Sequence, residues 1–288
     1  MHAHATAAAS PSARTVRLGI VSFLNTLPLV DGLEGLEGLH LRSSVPSLLI
    51  DHLLADEVDV ALCSSIDVLR SPDPLVVLPC GMLGCDGPTL TVRLYAKGPI
   101  EAIERVYCDT DSHTSVALLR ILLREVHGIA PEFIDYNARE HVAEHRPLDW
   151  PEAMLLIGDK VVTDSPPAVR YPHQMDLGAA WREHTGLPFV FAIWMARAST
   201  DAPTLRRATL VLDRQRRHNR ERIDRMVVDR EIGRRWPDDL ARRYLHDFLR
   251  YDFDDRARAG LAAFHAKAVE HGLAGGPRPL EFFDPRER

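Results

Sequence analysis

Small polar residues gather directly after apolar runs along this 288-residue chain. Ser22, Asn25 and Thr26 follow "TVRLGIV", and Ser64 and Ser65 follow "VDVALC". Asp86, Gly87 and Thr91 surround the turn "GCDGP". Asp109, Thr110, Ser112, Thr114 and Ser115 precede an apolar helical stretch, and Gly158 and Asp159 close "EAMLLIGD". Hydroxyls, an amide and unpaired backbone N–H groups are suited to hydrogen-bonding an oxygen-rich or anionic ligand. Each also has a plainer use, because Ser, Thr, Asn and Asp cap helices. "DTDSHTSVALL" carries both readings: a helix N-terminus favours negative charge, and Ser112 or Thr114 alone would satisfy its first-turn amides. Asp109 and Asp111 oppose an anion there unless they point away. "SSIDVL" has the same form, and two such helix starts facing across a cleft would suit a ligand with two carboxylates.

Other chemistries lack their residues. No G-x-S-x-G elbow occurs, and Cys85 has no histidine partner in sequence. No Gly-rich phosphate loop follows a strand, and the fourteen histidines show no H-E-x-x-H spacing for a metal. His113, at a helix start, reads as a cap or surface residue before it reads as an acid. "GLPFVFAIWMAR" places Phe189, Phe191, Ile193 and Trp194 where alternate residues would form an apolar wall over a ring-shaped ligand, or simply a buried strand.

The elements that must position these groups alternate strand and helix from 15 to 80, the pattern of an α/β layer. A second alternation starts at "IERVYCD". It runs through "SHTSVALLRILLREVHGI", with Val116, Leu119, Leu122, Leu123 and Val126 at helical spacing, then "PEFIDY", a helix or loop at 139–147, and "EAMLLIGD". "PTLTVRLYAK" and "LPFVFAIWMAR" bracket this unit and read as strands crossing between two lobes. After 203 the pattern is helical, at about 204–229, 237–249 and 256–271. The expected division is a disordered lead-in at 1–14, a discontinuous first lobe at 15–92 plus 197–288, and an inserted second lobe at 93–196. Its ligand cleft would lie at the hinge, where the polar groups above converge.

A chain that is 45% hydrophobic and 26% charged, with no apolar run long enough for a membrane span, reads as an ordinary globular protein. Its formal charge of −6 gives no general attraction to nucleic acid or to anionic membranes. The arginine-rich segment 206–225 carries acids at helical spacing and reads as a solvated face laced with ion pairs. Residues 1–14 lack the apolar core of a secretory signal. Cys63, Cys80, Cys85 and Cys108 form no C-x-x-C pair, so reduced, buried thiols in a cytoplasm are expected. Oligomeric state is not legible.

The blocks "VSFLNTLPL", "EVDVALCSSIDVL", "GCDGPTLTV", "DTDSHTSVALLRILL", "LLIGD" and "DLGAAWREHTGLPFVFAIWMAR" occur in the order seen in the chorismate dehydratases of the futalosine route to menaquinone, and from about 15 to 197 the chain resembles that family. The resemblance implies a two-lobed, periplasmic-binding-protein-like (type II) α/β fold with a cleft between the lobes and a C-terminal helical segment. It implies loss of water from chorismate to give 3-[(1-carboxyvinyl)oxy]benzoate, without a cofactor, the substrate's own enolpyruvyl carboxylate taking the proton. Asn25 matches the family's active-site asparagine. Thr91 stands where the family pattern has a serine, keeping the hydroxyl and adding a methyl. Thr114 and Ser115 match the Thr-Ser helix start that holds a carboxylate.

Three rivals share parts of this pattern. A non-catalytic two-lobed binding protein for a small carboxylate would be exported, which the missing signal argues against. The pathway enzyme that forms the dihydroxynaphthoate ring lacks the "SFLN" and "GCDGP" blocks together. The effector lobe of a regulator would need a DNA-binding segment that fourteen leading residues cannot contain.

Overall fold

The computed structural model describes residues 14–138, 150–229 and 236–286. The helix or loop expected at 139–147 lies outside the described residues, as does the lead-in apart from Arg14.

Two sheets carry the polar loops. The first contains seven strands: β1 (Val16–Val21), β2 (Leu39–Ser44), β3 (Val60–Ser64), β4 (Leu75–Cys85), β10 (Phe189–Arg197), and the short β11 (Leu249–Arg250) and β12 (Glu281–Phe282). Its order is β11-β4-β10-β3-β1-β2, with β12 paired to β4. The second contains β5 (Val92–Ala96), β6 (Arg105–Asp109), β7 (Glu132–Tyr136), β8 (Ala153–Ile157) and β9 (His173–Asp176), in the order β7-β6-β8-β5-β9. Strands β1, β2 and β3 run parallel, as do β6, β7 and β8, so their carboxyl ends, where the polar residues follow, share one edge.

Apolar runs explain the strands. All five residues of β3 and of β8 are buried, as expected of strands covered on both faces. The helix His113–Val126 buries Ala117, Leu118, Leu119, Ile121, Leu122 and Leu123. Its N-cap is Ser112, whose Oγ accepts from the Ser115 amide at 3.2 Å. By contrast neither Ser44 nor Ser47 caps the helix Pro46–Leu54: Val45 occupies the N-cap without a side-chain bond, and Pro46 presets the first turn.

The crossing strands differ from expectation. Strand β10 pairs along its length with β3 and β4, and β5 pairs with β8 and β9. Each lies in a single sheet, because a strand gains its backbone hydrogen bonds only beside continuous partners. The chain passes between the sheets at 86–91 and through the helix Leu177–Thr185. The C-terminal part is helical at Ala202–Arg220, Ile223–Asp229, Asp238–Arg243 and Asp255–Glu270, with a π-helical turn at Tyr244–Phe248, and it also returns β11 and β12 to the first sheet.

The arginine-rich helix is solvated as expected, with Asp213 paired to Arg216 at i,i+3 and to Arg217 at i,i+4. All four cysteines are unpaired and buried, and burial pushes the Cys108 thiol up to about 12. Among the described residues, no helix is long and apolar enough to cross a membrane.

Candidate functional site

A narrow cleft lies between the two sheets. From the seven-stranded half it is lined by Val21, Phe23, Asn25, Pro46, Ser64, Leu83, Phe191 and Ala192. The five-stranded half contributes Val92, Ser112, Ser115, Ile157 and Gly158. Thr89 and Thr91 come from the crossing segment, and Tyr244 and Leu249 from the C-terminal part.

Asn25 lies in a single 3-10 turn (Leu24–Thr26) after β1. Thr26 holds that turn, its Oγ1 lying 2.8 Å from the Val21 carbonyl and 2.9 Å from that of Phe23. Asn25 is itself 9% exposed, and its Oδ1 has no hydrogen-bond partner in the protein. The Ser64 Oγ, at the end of β3 and 1% exposed as a residue, is also without one. A buried polar atom left unpaired costs about 1–3 kcal/mol, so two of them in one cleft mark positions that a ligand's donors and acceptors would satisfy.

Thr91 reaches the cleft through a strained turn. Leu90 has φ of 64°, in the left-handed region that a bulky residue rarely adopts. Asp176 holds it there: its carboxylate accepts from the Thr89 amide at 2.9 Å and the Leu90 amide at 2.7 Å. The same side chain caps the helix Leu177–Thr185 by accepting from Gly178 and Ala179. The Thr91 hydroxyl lies 2.5 Å from the Tyr244 hydroxyl. Burial pushes the Tyr244 phenol well above its ordinary value, so it stays protonated.

The anion-binding expectation centres on Ser112 and Ser115, both lining the cleft, with their hydroxyls 3.0 Å apart at the start of a fourteen-residue helix. Asp109 and Asp111 are compensated: Lys160 Nζ lies 2.6 Å from one carboxylate and 2.7 Å from the other. Burial raises the Asp109 carboxyl, and Lys160 opposes that shift.

Other expected site residues serve the frame. Thr114 is fully buried and absent from the cleft lining; its Oγ1 accepts from the Ile66 amide at 3.2 Å and sits 3.4 Å from the Ser65 hydroxyl. Ser65 donates to the Val190 carbonyl at 2.7 Å, so it too is spent on joining elements. Asp159 lies 3.4 Å from the Leu24 amide, tying the turn beside Asn25 to the opposite half. Asp86 is drawn outward by Arg182 at 3.0 Å and Arg256 at 3.2 Å, and neither it nor Gly87 lines the cleft. Gly158 does, at φ of 70°, where a Cβ would come within 3.2 Å of the Phe23 ring. Of the aromatic strand, only Phe191 and Ala192 face the cleft; Phe189 packs against Trp181 and Phe264, and Trp194 is core. His113 bonds Asp67 rather than entering the cleft.

Tyr244 and Asp176 are the functional positions that sequence patterns did not single out. Tyr244 reads locally as one more apolar residue of an amphipathic helix, 153 residues from its partner Thr91. Asp176 had a usable signal, since an Asp directly before a helical run is an N-cap candidate.

The family model described as menaquinone biosynthesis matches residues 16–270. The chain is 34% identical over 262 residues to the chorismate dehydratase of Thermus thermophilus, covering 86% of this chain and 93% of that protein. Among solved structures it is similar to a protein of Archaeoglobus fulgidus (TM-score 0.65, 15% identity, 91% of this chain and 99% of that one). It is also similar to the periplasmic aliphatic sulphonate binding protein of Escherichia coli (TM-score 0.54, 15% identity, 92% and 94%). The two structures establish the periplasmic-binding-protein-like fold. With that fold, a match over nearly all of its described core and a relative matched over most of both lengths, the chain belongs to the menaquinone biosynthesis family.

Proposed function

We propose that the protein is a chorismate dehydratase, a carbon–oxygen lyase that removes water from chorismate to give 3-[(1-carboxyvinyl)oxy]benzoate in menaquinone biosynthesis by the futalosine route. The observation that carries the reading is the chemistry of the cleft. Its described lining is made of neutral hydrogen-bonding groups and apolar surface, with Asn25 Oδ1 and Ser64 Oγ left unpartnered. Such a lining holds a ring-shaped dicarboxylate while excluding water.

The reaction breaks the C–H bond at the ring carbon bearing the enolpyruvyl ether and the C–O bond at its neighbour, and leaves an aromatic ring. Aromatisation makes it downhill, so the protein's task is orientation. Among the described lining residues there is no Asp, Glu, His or Lys to serve as base. That supports the substrate's own enolpyruvyl carboxylate as the acceptor of the proton, with Asn25 holding the reactive conformation and Thr91 hydrogen-bonding the departing hydroxyl. Ser112 and Ser115, with the amides of their helix start, hold a carboxylate.

The test is to mix purified protein with chorismate and follow mass and ultraviolet absorbance against a control without protein. An aromatic product lighter by one water is expected. Unchanged chorismate with binding seen by calorimetry would instead favour a non-catalytic binding protein, a role in keeping with the similarity to the sulphonate binding protein.

A further inference from the structure

Tyr244 is the one titratable side chain among the described residues of the cleft lining, and it comes from a part of the chain that belongs to neither alternation of strand and helix. Three features fix it. Its ring stacks on Trp236, with centroids 5.1 Å apart and planes at 20°. It begins the π-helical turn Tyr244–Phe248, an irregularity that recurs at functional sites. Its hydroxyl meets a group already assigned to the substrate, Thr91 Oγ1, at 2.5 Å.

A hydroxyl has one proton to give, and the direction of this contact follows from the acidity of its two groups. A phenol is far more acidic than an alkyl hydroxyl, so Tyr244 donates its proton to Thr91 Oγ1. Thr91, accepting from Tyr244, has its only proton left for the cleft.

The geometry points to Tyr244 as the positioning residue of the elimination, acting through Thr91: its hydroxyl forces the Thr91 O–H toward the departing hydroxyl of the substrate. The inference rests on the dehydratase reading and deepens it. The atoms balance without a proton from the protein. The electron pair of the broken C–H bond becomes the new ring double bond, and the pair of the C–O bond leaves on oxygen. The proton first taken by the substrate's carboxylate completes the water, and Thr91 and Tyr244 supply hydrogen bonds only. Burial keeps the phenol protonated, which a permanent donor requires. Chains of this kind strengthen each link by polarisation, and aiming a donor at a developing charge is worth more than aiming it at the ground state.

The test is a mutant cycle on chorismate turnover. Tyr244→Phe keeps the ring and its stack, so its thermal midpoint is expected to stay close to that of the wild type. Its kcat is expected to fall about 10- to 100-fold with KM changed less than threefold, since the lost interaction matters mainly in the transition state. In a Thr91→Val background, Tyr244→Phe is expected to cause no further loss; in a Thr91→Ser background, which keeps the hydroxyl, it is expected to cost as much as in the wild type. A Tyr244→Phe enzyme within twofold of wild-type kcat, or losses that multiply fully with Thr91→Val, would overturn the inference while leaving the dehydratase reading intact. Wild-type protein that leaves chorismate unchanged would overturn both.

Discussion

Asp67 and His113 join the two halves of the protein beside the cleft: Nδ1 of His113 donates to the buried Asp67 carboxylate at 2.8 Å. Next to them Thr114 receives the Ile66 amide, so consecutive residues of one helix start grip the other half. The grip lies beside the cleft, where Ser112 and Ser115 face inward.

This latch predicts a pH dependence. The bond to Asp67 raises the His113 pKa, and burial partly opposes it; burial raises Asp67. Both shifts make the folded chain hold protons more tightly than the unfolded one. The stabilisation from His113 is thus fully present below its unfolded value of about 6.5 and is lost as pH rises through the raised value. His113 is 38% exposed, so solvent screening limits the effect to about 0.5 kcal/mol. Asp67→Asn is expected to lower the His113 pKa in an NMR titration and to flatten the stability profile between pH 6 and 8. An unmoved titration would show that the pair carries no charge coupling.

Asn25→Ala is expected to lower kcat at least about 100-fold, the size of effect seen when an aimed hydrogen-bonding group is removed. Stability should hold within about 1 kcal/mol, because the change removes an acceptor that already lacks a partner in the folded chain. Turnover and urea denaturation of the same preparation check both parts, and normal turnover would remove Asn25 from the mechanism.

Thr91→Ser keeps the bond to Tyr244 and deletes a methyl at a position only 1% exposed. The expected result is a loss of about 1 kcal/mol in stability with kcat within about threefold of wild type. A large fall in kcat would mean that the methyl group, rather than the hydroxyl alone, shapes the reactive pose.

Asp176 carries two duties, as helix cap and as clamp on the strained Leu90 turn. Asp176→Ala is expected to cost about 2–4 kcal/mol, combining a lost cap with two freed amides. Because Thr91 follows that turn directly, kcat should fall about tenfold or more as well. A variant that loses stability but keeps its kcat under folded conditions would separate the clamp from catalysis.

Glu125 joins the helix His113–Val126 to the C-terminal helix Asp255–Glu270 through Lys267 at 2.6 Å and is also met by His184 and His271. Burial pushes its carboxyl up, but bonds from Lys267, His271 and His184 outweigh that and hold it at about 2. A depressed carboxyl stabilises above its unfolded value of about 4.3 and loses that contribution as pH falls toward 2. Glu125→Gln is expected to cost about 2 kcal/mol at pH 7 and almost nothing near pH 2, measured by denaturant midpoints at the two values.

Local order of residue types was enough to read the alternation of strand and helix, the buried runs of β3 and β8, a cap by Ser112 or Thr114 and the polar rim at the strand ends. Burial and backbone period are properties of neighbouring residues, and they leave marks within a window of ten or so. The same windows brought Asn25, Ser64, Thr91, Ser112, Ser115 and Gly158 forward as candidates, and all six line one cleft. They also brought forward Ser65, Thr114, Asp86, Gly87 and Asp159, whose type and spacing are no different. Their separation was decided by tertiary contact alone: an Arg182 and Arg256 pair drawing Asp86 outward, an Ile66 amide occupying Thr114. Tyr244 meets Thr91 across 153 residues, and β10 settles into one sheet because β3 and β4 flank it. Whether a polar side chain serves the frame or the ligand depends on which distant group reaches it first, and that is fixed by packing of the whole chain rather than by any stretch of it.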